Sequence, residues 1–160
     1  MIATPSNVQT SFADDHDRLD ELFVQFQKTK RSDYARAKEF FKEFKFGLQR
    51  HIVWEESILF PLFEKKTGMY HTGPTEVMRQ EHRRIGALLE AIHKSVQKQD
   101  PESDAEEKAL LEALLAHNQK EEQVLYPAID RLTTDEDKNE AFAAMEKVPE
   151  EAYRTCCGKH

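Results

Sequence analysis

Residues 51–61 read HIVWEESILFP and residues 117–127 read HNQKEEQVLYP, so one pattern is written twice, 66 residues apart. The same offset carries Asp15-His16 onto Glu81-His82, and Leu19, Leu22 and Phe23 onto Ile85, Leu88 and Leu89. Each half therefore holds an acid and a histidine, a second histidine 35 residues later, and a glutamate four places further on. At 160 residues the chain is one domain by the usual size range, so the repeat describes two halves of one core.

The apolar periodicity makes those halves helical. Leu19, Leu22, Phe23 and Phe26 recur at helical spacing from a Ser11 cap to about Lys30. A second helix is expected from Asp33 to about Lys66, with Phe40, Phe44, Leu48, His51, Glu55, Ile58/Leu59 and Leu62 on its stripe. TGMYHTGP at 67–74 reads as a loop. A third helix, about Thr75 to Lys98, turns Val77/Met78, His82, Ile85, Leu88/Leu89, Ile92 and Val96 inward. Ser103-x-x-Glu106 opens a fourth, whose stripe is Leu110/Leu111, Leu114, His117, Glu121, Val124/Leu125 and Ile129. Thr133-x-x-Glu136 opens a short fifth with Phe142 and Met145. No segment reads as a strand. The expected fold is all-α: an antiparallel up-down four-helix bundle over residues 11–131, with a short extra C-terminal helix and polar tail over 132–160.

At about 1.5 Å per residue, the heights of His16 and His51 from the first turn differ by only about one turn, and His82 and His117 are more nearly equidistant from the second. Glu55 and His82 are likewise each roughly ten residues from the 67–74 loop. His16, His51, Glu55, His82, His117 and Glu121 thus converge at one level, each on the apolar stripe of its helix. Four imidazoles and two carboxylates in an apolar core are costly unless they are paired or bind metal. A single His-x-x-x-Glu on a helix is usually a surface pair, and a lone core histidine is usually hydrogen-bonded. Three positions repeating at one offset and one height fit those explanations poorly. The set offers too many donors for one tetrahedral zinc and suits two first-row metals a few ångströms apart, iron before manganese or zinc.

His16, His51-x-x-x-Glu55, His82 and His117-x-x-x-Glu121, flanked by EESILFP and EEQVLYP, resemble the hemerythrin-like (HHE cation-binding) family over about residues 11–131. The resemblance implies a non-haem di-iron centre with an oxo or hydroxo bridge. In it Glu55 and Glu121 would bridge the irons, with His16/His51 on one and His82/His117 on the other. Oxygen-carrying members have a further histidine one turn after the third-helix histidine; here that position is Gly86. The expectation is therefore binding of a small oxygen-type ligand (oxygen, nitric oxide or peroxide) for sensing, buffering or delivery. The alternatives are catalase-like peroxide decomposition and iron storage or donation. Ferritin-like sites place Glu-x-x-His with carboxylates in excess; this chain has the reverse order and more nitrogen than carboxylate.

Other residues draw milder expectations. Gly47 and Gly86, each one turn from a proposed ligand, either leave room for a ligand on the metals or allow close packing. Asp20, four after His16, is expected beside the stripe rather than on a metal. Asp15 and Glu81 could orient imidazoles, but adjacent helical residues point about 100° apart, so surface roles are expected ahead of that; Glu56 and Glu122, following the proposed ligand glutamates, are expected to face solvent. Pro61 and Pro127 should bend or end their helices just past the site. His71, His93 and His160 do not repeat, and Cys156-Cys157 reads as an incidental pair. A net charge of −7 predicts no nucleic-acid partner. No apolar run reaches the roughly 20 residues of a membrane span. MIATPSNVQTSF lacks the basic-then-apolar pattern of a secretory leader, so a cytoplasmic location is expected.

Overall fold

Asn7, whose side chain accepts the Thr10 backbone N–H, starts the first helix at Val8, earlier than Ser11. The computed structural model describes residues 7–154, and the regular structure among them is entirely helical. The helices are α1 (Val8–Thr29), α2 (Tyr34–Trp54), α3 (Phe60–Thr67), α4 (Gly73–Gln97), α5 (Asp104–Lys120), α6 (Tyr126–Leu132) and α7 (Asp135–Lys147). Single π-turns, Glu55–Leu59 and Glu121–Leu125, join α2 to α3 and α5 to α6; a 3-10 turn, Glu150–Tyr153, follows α7. Cys156, Cys157 and His160 lie outside the described residues.

The π-turns have a local cause. Pro61 and Pro127 lack the amide that an α-helix would donate back one turn, and their rings crowd the carbonyl there. The chain widens instead, so that the Phe60 and Tyr126 amides donate five residues back, to the Glu55 and Glu121 carbonyls. The prolines thus widen the helices within the glutamate turns, and the helices then continue. Caps also differ from the expected ones: Ser103 precedes α5 without a side-chain cap, and α7 opens on a Thr134–Asp137 capping box, one residue later than expected.

Polar contacts between α1 and the α5–α6 stretch fall in reverse order along the two segments. Asp130 accepts from the Val8 and Gln9 amides, His16 meets Glu122, and Gln27 and Lys30 meet Glu107. Across the other seam, Glu64 of α3 accepts from Thr75 and Arg79 of α4. The apolar core divides into two clusters. One holds Phe23, Phe41, Phe44, Ile85, Leu89 and Leu110; the other holds Phe12, Leu59, Phe60, Phe63, Tyr126 and Ile129. On every long helix the proposed ligands fall between a residue of the first cluster and one of the second, as His16 does between Phe12 and Leu19. α7 packs against the Glu55–Leu59 π-turn, and the 3-10 turn after it lies over α2, where the Trp54 indole N–H donates to the Tyr153 hydroxyl at 2.7 Å. No helix among the described residues is long and apolar enough to cross a membrane.

Candidate metal centre

The six residues singled out in the sequence all lie buried between the two apolar clusters, with exposures of 4% or less. Donor atoms of Glu55, His82, His117 and Glu121 lie within 4.8 Å of one another, and so do those of His16, His51 and Glu121. The imidazoles pair, with ring centroids 4.6 Å apart for His16/His51 and 4.7 Å for His82/His117. Each carboxylate faces one member of both pairs. Glu121 Oε1 is 3.2 Å from His117 Nε2 and 3.3 Å from His16 Nε2; Glu55 Oε1 is 3.2 Å from His82 Nε2 and 3.6 Å from His51 Nε2.

Every imidazole presents Nε2 to this centre because its Nδ1 is held from outside. His51 Nδ1 pairs with Asp15 at 2.9 Å, His117 with Glu81 at 2.8 Å, His16 with Glu122 at 2.9 Å and His82 with Glu56 at 2.7 Å. A carboxylate there makes Nδ1 the N–H donor, which fixes the tautomer and the ring orientation. The surface roles expected for these four acids are therefore corrected. The 100° step from each inward neighbour aims the acid along the seam at the adjacent helix rather than into solvent. The pairing also obeys the repeat: Asp15 and Glu81 act within their own hairpin, Glu56 and Glu122 across to the other.

Tyr126 is the residue that sequence periodicity missed. Five α-helical residues after Glu121 it would point about 140° away from that side chain; the π-turn rotates it back to the inner face. Its hydroxyl lies 2.6 Å from Glu55 Oε2, 3.0 Å from Glu121 Oε1, 3.1 Å from His51 Nε2 and 3.3 Å from His16 Nε2. The available signal was proline at position 127 directly after it. Asp20 lines the small cavity at the centre but is not among the converging donors. Gly47 is explained by close packing, since a Cβ there would meet Leu19 Cδ2 at 2.7 Å and Arg18 Nη2 at 2.8 Å. Gly86 is buried in α4.

Electrostatics set the protonation. Burial opposes charge on His16, yet Glu121, Glu55 and Glu122 outweigh it and raise its pKa to about 9. His82, also opposed by burial, is raised to about 10 by Glu55, Glu56 and Glu121. Burial and the neighbouring Glu121 charge push Glu55 up to about 7. Burial works against ionisation of Glu121 too, but His117, Glu55 and His16 hold it well below the usual carboxylate range. Asp15, despite burial, is lowered to about 2 by His51 and Arg18. Burial and the two glutamates hold the Tyr126 phenol well above its ordinary range.

Protons alone leave this cluster imperfectly satisfied. Glu55 Oε1, Glu121 Oε2 and His82 Nε2 are buried without a hydrogen-bond partner among the described residues. Unpaired buried polar atoms are rare in native proteins and call for a missing ion or water. Inward nitrogens and carboxylate oxygens in two adjoining sets fit a pair of first-row cations. The free space at the centre is about 10 Å³, lined by the six candidate residues and by Leu19, Phe44, Ile85 and Leu114.

The sequence model of the Hemerythrin HHE cation binding domain matches residues 8–129. Among curated proteins, the chain is 28% identical over 123 residues to a DNA nickase of Nostoc sp., an alignment covering 77% of this chain and 33% of that protein. It is 36% identical over 86 residues to the iron-sulfur cluster repair protein YtfE of Enterobacter sp., covering 48% of this chain and 39% of that protein. The same-named protein of Escherichia coli O1:K1 is 35% identical over 89 residues, covering 50% and 40% of the two chains. These matches span well under half the length of each relative. No solved structure matches the chain.

Proposed function

The chain belongs to the Hemerythrin HHE cation-binding domain family, and from that premise we propose that it is a non-haem di-iron protein that takes up a small oxygen-type ligand. The carrying observation is that four imidazoles, each held at Nδ1 by its own carboxylate, aim Nε2 at two shared glutamates. His16 and His51 would hold one iron and His82 and His117 the other, with Glu55 and Glu121 between them, in an up-down four-helix bundle spanning about residues 11–131. Bound there, the irons supply coordination positions and reversible electron exchange for oxygen, nitric oxide or peroxide.

The rest of the work belongs to the chain. Glu56, Glu81, Glu122 and Asp15 keep the imidazoles in the tautomer that binds metal and retain a proton at each Nδ1. Tyr126 holds one proton that it can direct at either Glu55 or Glu121, on the His16/His51 side. Phe60, stacked on His82 at 5.7 Å, seals the opposite side with an apolar ring. The central space is no larger than a single water needs, so a bulky ligand could not enter without rearrangement. Gly86 stands where oxygen carriers place a further imidazole, so this chain would offer one nitrogen donor fewer to an iron held by His82 and His117.

The test is metal analysis of protein purified without air, followed by separate exposure to oxygen, nitric oxide and peroxide. About two irons per chain and a reversible spectral change with one of these ligands are expected. Absence of stoichiometric iron overturns the reading; sustained oxygen evolution from peroxide would make the chain a peroxide-decomposing enzyme. A second reading, iron donation, draws on the name of the YtfE relatives. Rapid loss of iron to a chelator at neutral pH would favour it.

A further inference from the structure

Behind His51, on the side away from the proposed metals, lies a cleft of about 260 Å³ between α1, α2 and α7. Phe12, Trp54, Phe142 and Met145 form its apolar walls, Ser11, Asp15 and Glu146 contribute its polar groups, and His51 reaches its inner end. Its volume is near the lower end of ligand pockets and corresponds to a one-ring molecule. Three aromatic walls and a thioether favour a flat ring over a branched aliphatic group. Trp54 offers only its ring, since its indole N–H is committed to Tyr153.

The polar groups say what the ring carries. Two carboxylates and a hydroxyl line the cleft, and no lysine or arginine does, so the ligand has to donate hydrogen bonds. It need not be a cation. Asp15 is already matched by the His51 Nδ1–H at 2.9 Å and by Arg18 at 3.0 Å. Arg50 lies over the Trp54 ring at 4.8 Å, so that aromatic surface already has its cation. We propose that this cleft binds a small neutral phenol, its ring between Phe12, Trp54 and Met145 and its hydroxyl donating to Asp15 or Glu146. Such a ligand touches the carboxylate that orients His51, which couples its binding to the imidazole without displacing a metal ligand.

Trp54 is the single tryptophan of the chain, so its emission reports the cleft directly. The full chain, loaded with zinc to avoid quenching by iron and in parallel freed of metal, is titrated with phenol, toluene and benzylammonium. Phenol is expected to change the emission saturably in both forms, with toluene about tenfold weaker for want of the donated hydrogen bond. Benzylammonium should bind no tighter than phenol. Ser11→Phe, which fills the cleft, should abolish the response while the helical circular dichroism is kept. The exposed change Glu146→Ala, which folding does not depend on, should weaken phenol and leave toluene unaltered. Non-saturable changes, equal affinity for toluene, tighter binding of benzylammonium, or full retention of binding in Ser11→Phe would overturn the assignment. The metal-free arm separates this result from the di-iron reading, which stands or falls on iron content alone.

Discussion

The two hairpins of this chain carry the same proposed ligands and differ in what surrounds them. In the first, His16 and His51 lie beside the Tyr126 hydroxyl and under Phe12, whose ring is 4.8 Å from that of His51. In the second, His82 is stacked by Phe60, and nothing equivalent to the phenol is present. Phe60 and Tyr126 occupy the same place in the repeat, as do Asp20 and Gly86. One hydroxyl in place of one hydrogen thus divides a nearly symmetric cluster into a proton-rich side and an apolar side. The repeat specifies the buried imidazoles and carboxylates; its imperfections specify how the two positions differ.

Removing a shared ligand tests the symmetry hardest. Glu121→Ala faces both histidine pairs, so metal content should fall from about two ions to fewer than one per chain, whereas His16→Ala should leave about one. Elemental analysis decides this, and equal losses in the two variants would break the division into two sites. The next effect is pH dependence of the metal-free chain. His16 at about 9 and His82 at about 10 are raised above the unfolded value near 6.5. Their contribution is therefore complete below pH 6.5 and is lost as pH rises through 9 and then 10. From His16 alone this is on the order of 3 kcal/mol. Thermal melts in chelator should show declining stability from pH 7 to 10, with the lower step missing in His16→Gln and the upper in His82→Gln.

The orienting acids come next. Glu122→Gln and Glu56→Gln should each weaken metal binding by about 10–100-fold, the first at the His16/His51 position and the second at the His82/His117 position. Competition titrations with a chelator would resolve the two. Smallest is the phenol itself. Tyr126→Phe should destabilise the metal-free chain by about 1 kcal/mol through loss of its hydrogen bond to Glu55, and Asp20→Gly should change little. A denaturant melt showing no loss in Tyr126→Phe would mean that the two halves are energetically alike despite their different rings.

The helices and the burial of the six proposed ligands were legible because each obeys a single period: apolar residues at threes and fours, His and Glu at 66. Tyr126 was not, because the turn preceding it departs from that period, and a stripe drawn at 3.6 residues per turn leaves it facing outward. Asp15, Glu56, Glu81 and Glu122 were misread for a related reason. Periodicity states how far a side chain is turned from its neighbour, but only the packed seam states whether another helix waits there. Gly47 stood one turn before His51, yet its small size serves the approach of α1, through Leu19 and Arg18.

Two of the four orienting contacts cross between hairpins, Glu56 to His82 and Glu122 to His16. Neither hairpin alone can therefore pre-set all of its imidazoles. A chain with only residues 8–67 folded would keep His51 on Asp15 but leave His16 without its orienting acid. The complete set of oriented imidazoles therefore exists only once the second hairpin has docked on the first, and a substitution that loosens the docking would unsettle His16 and His82 before it touched any residue of the central layer.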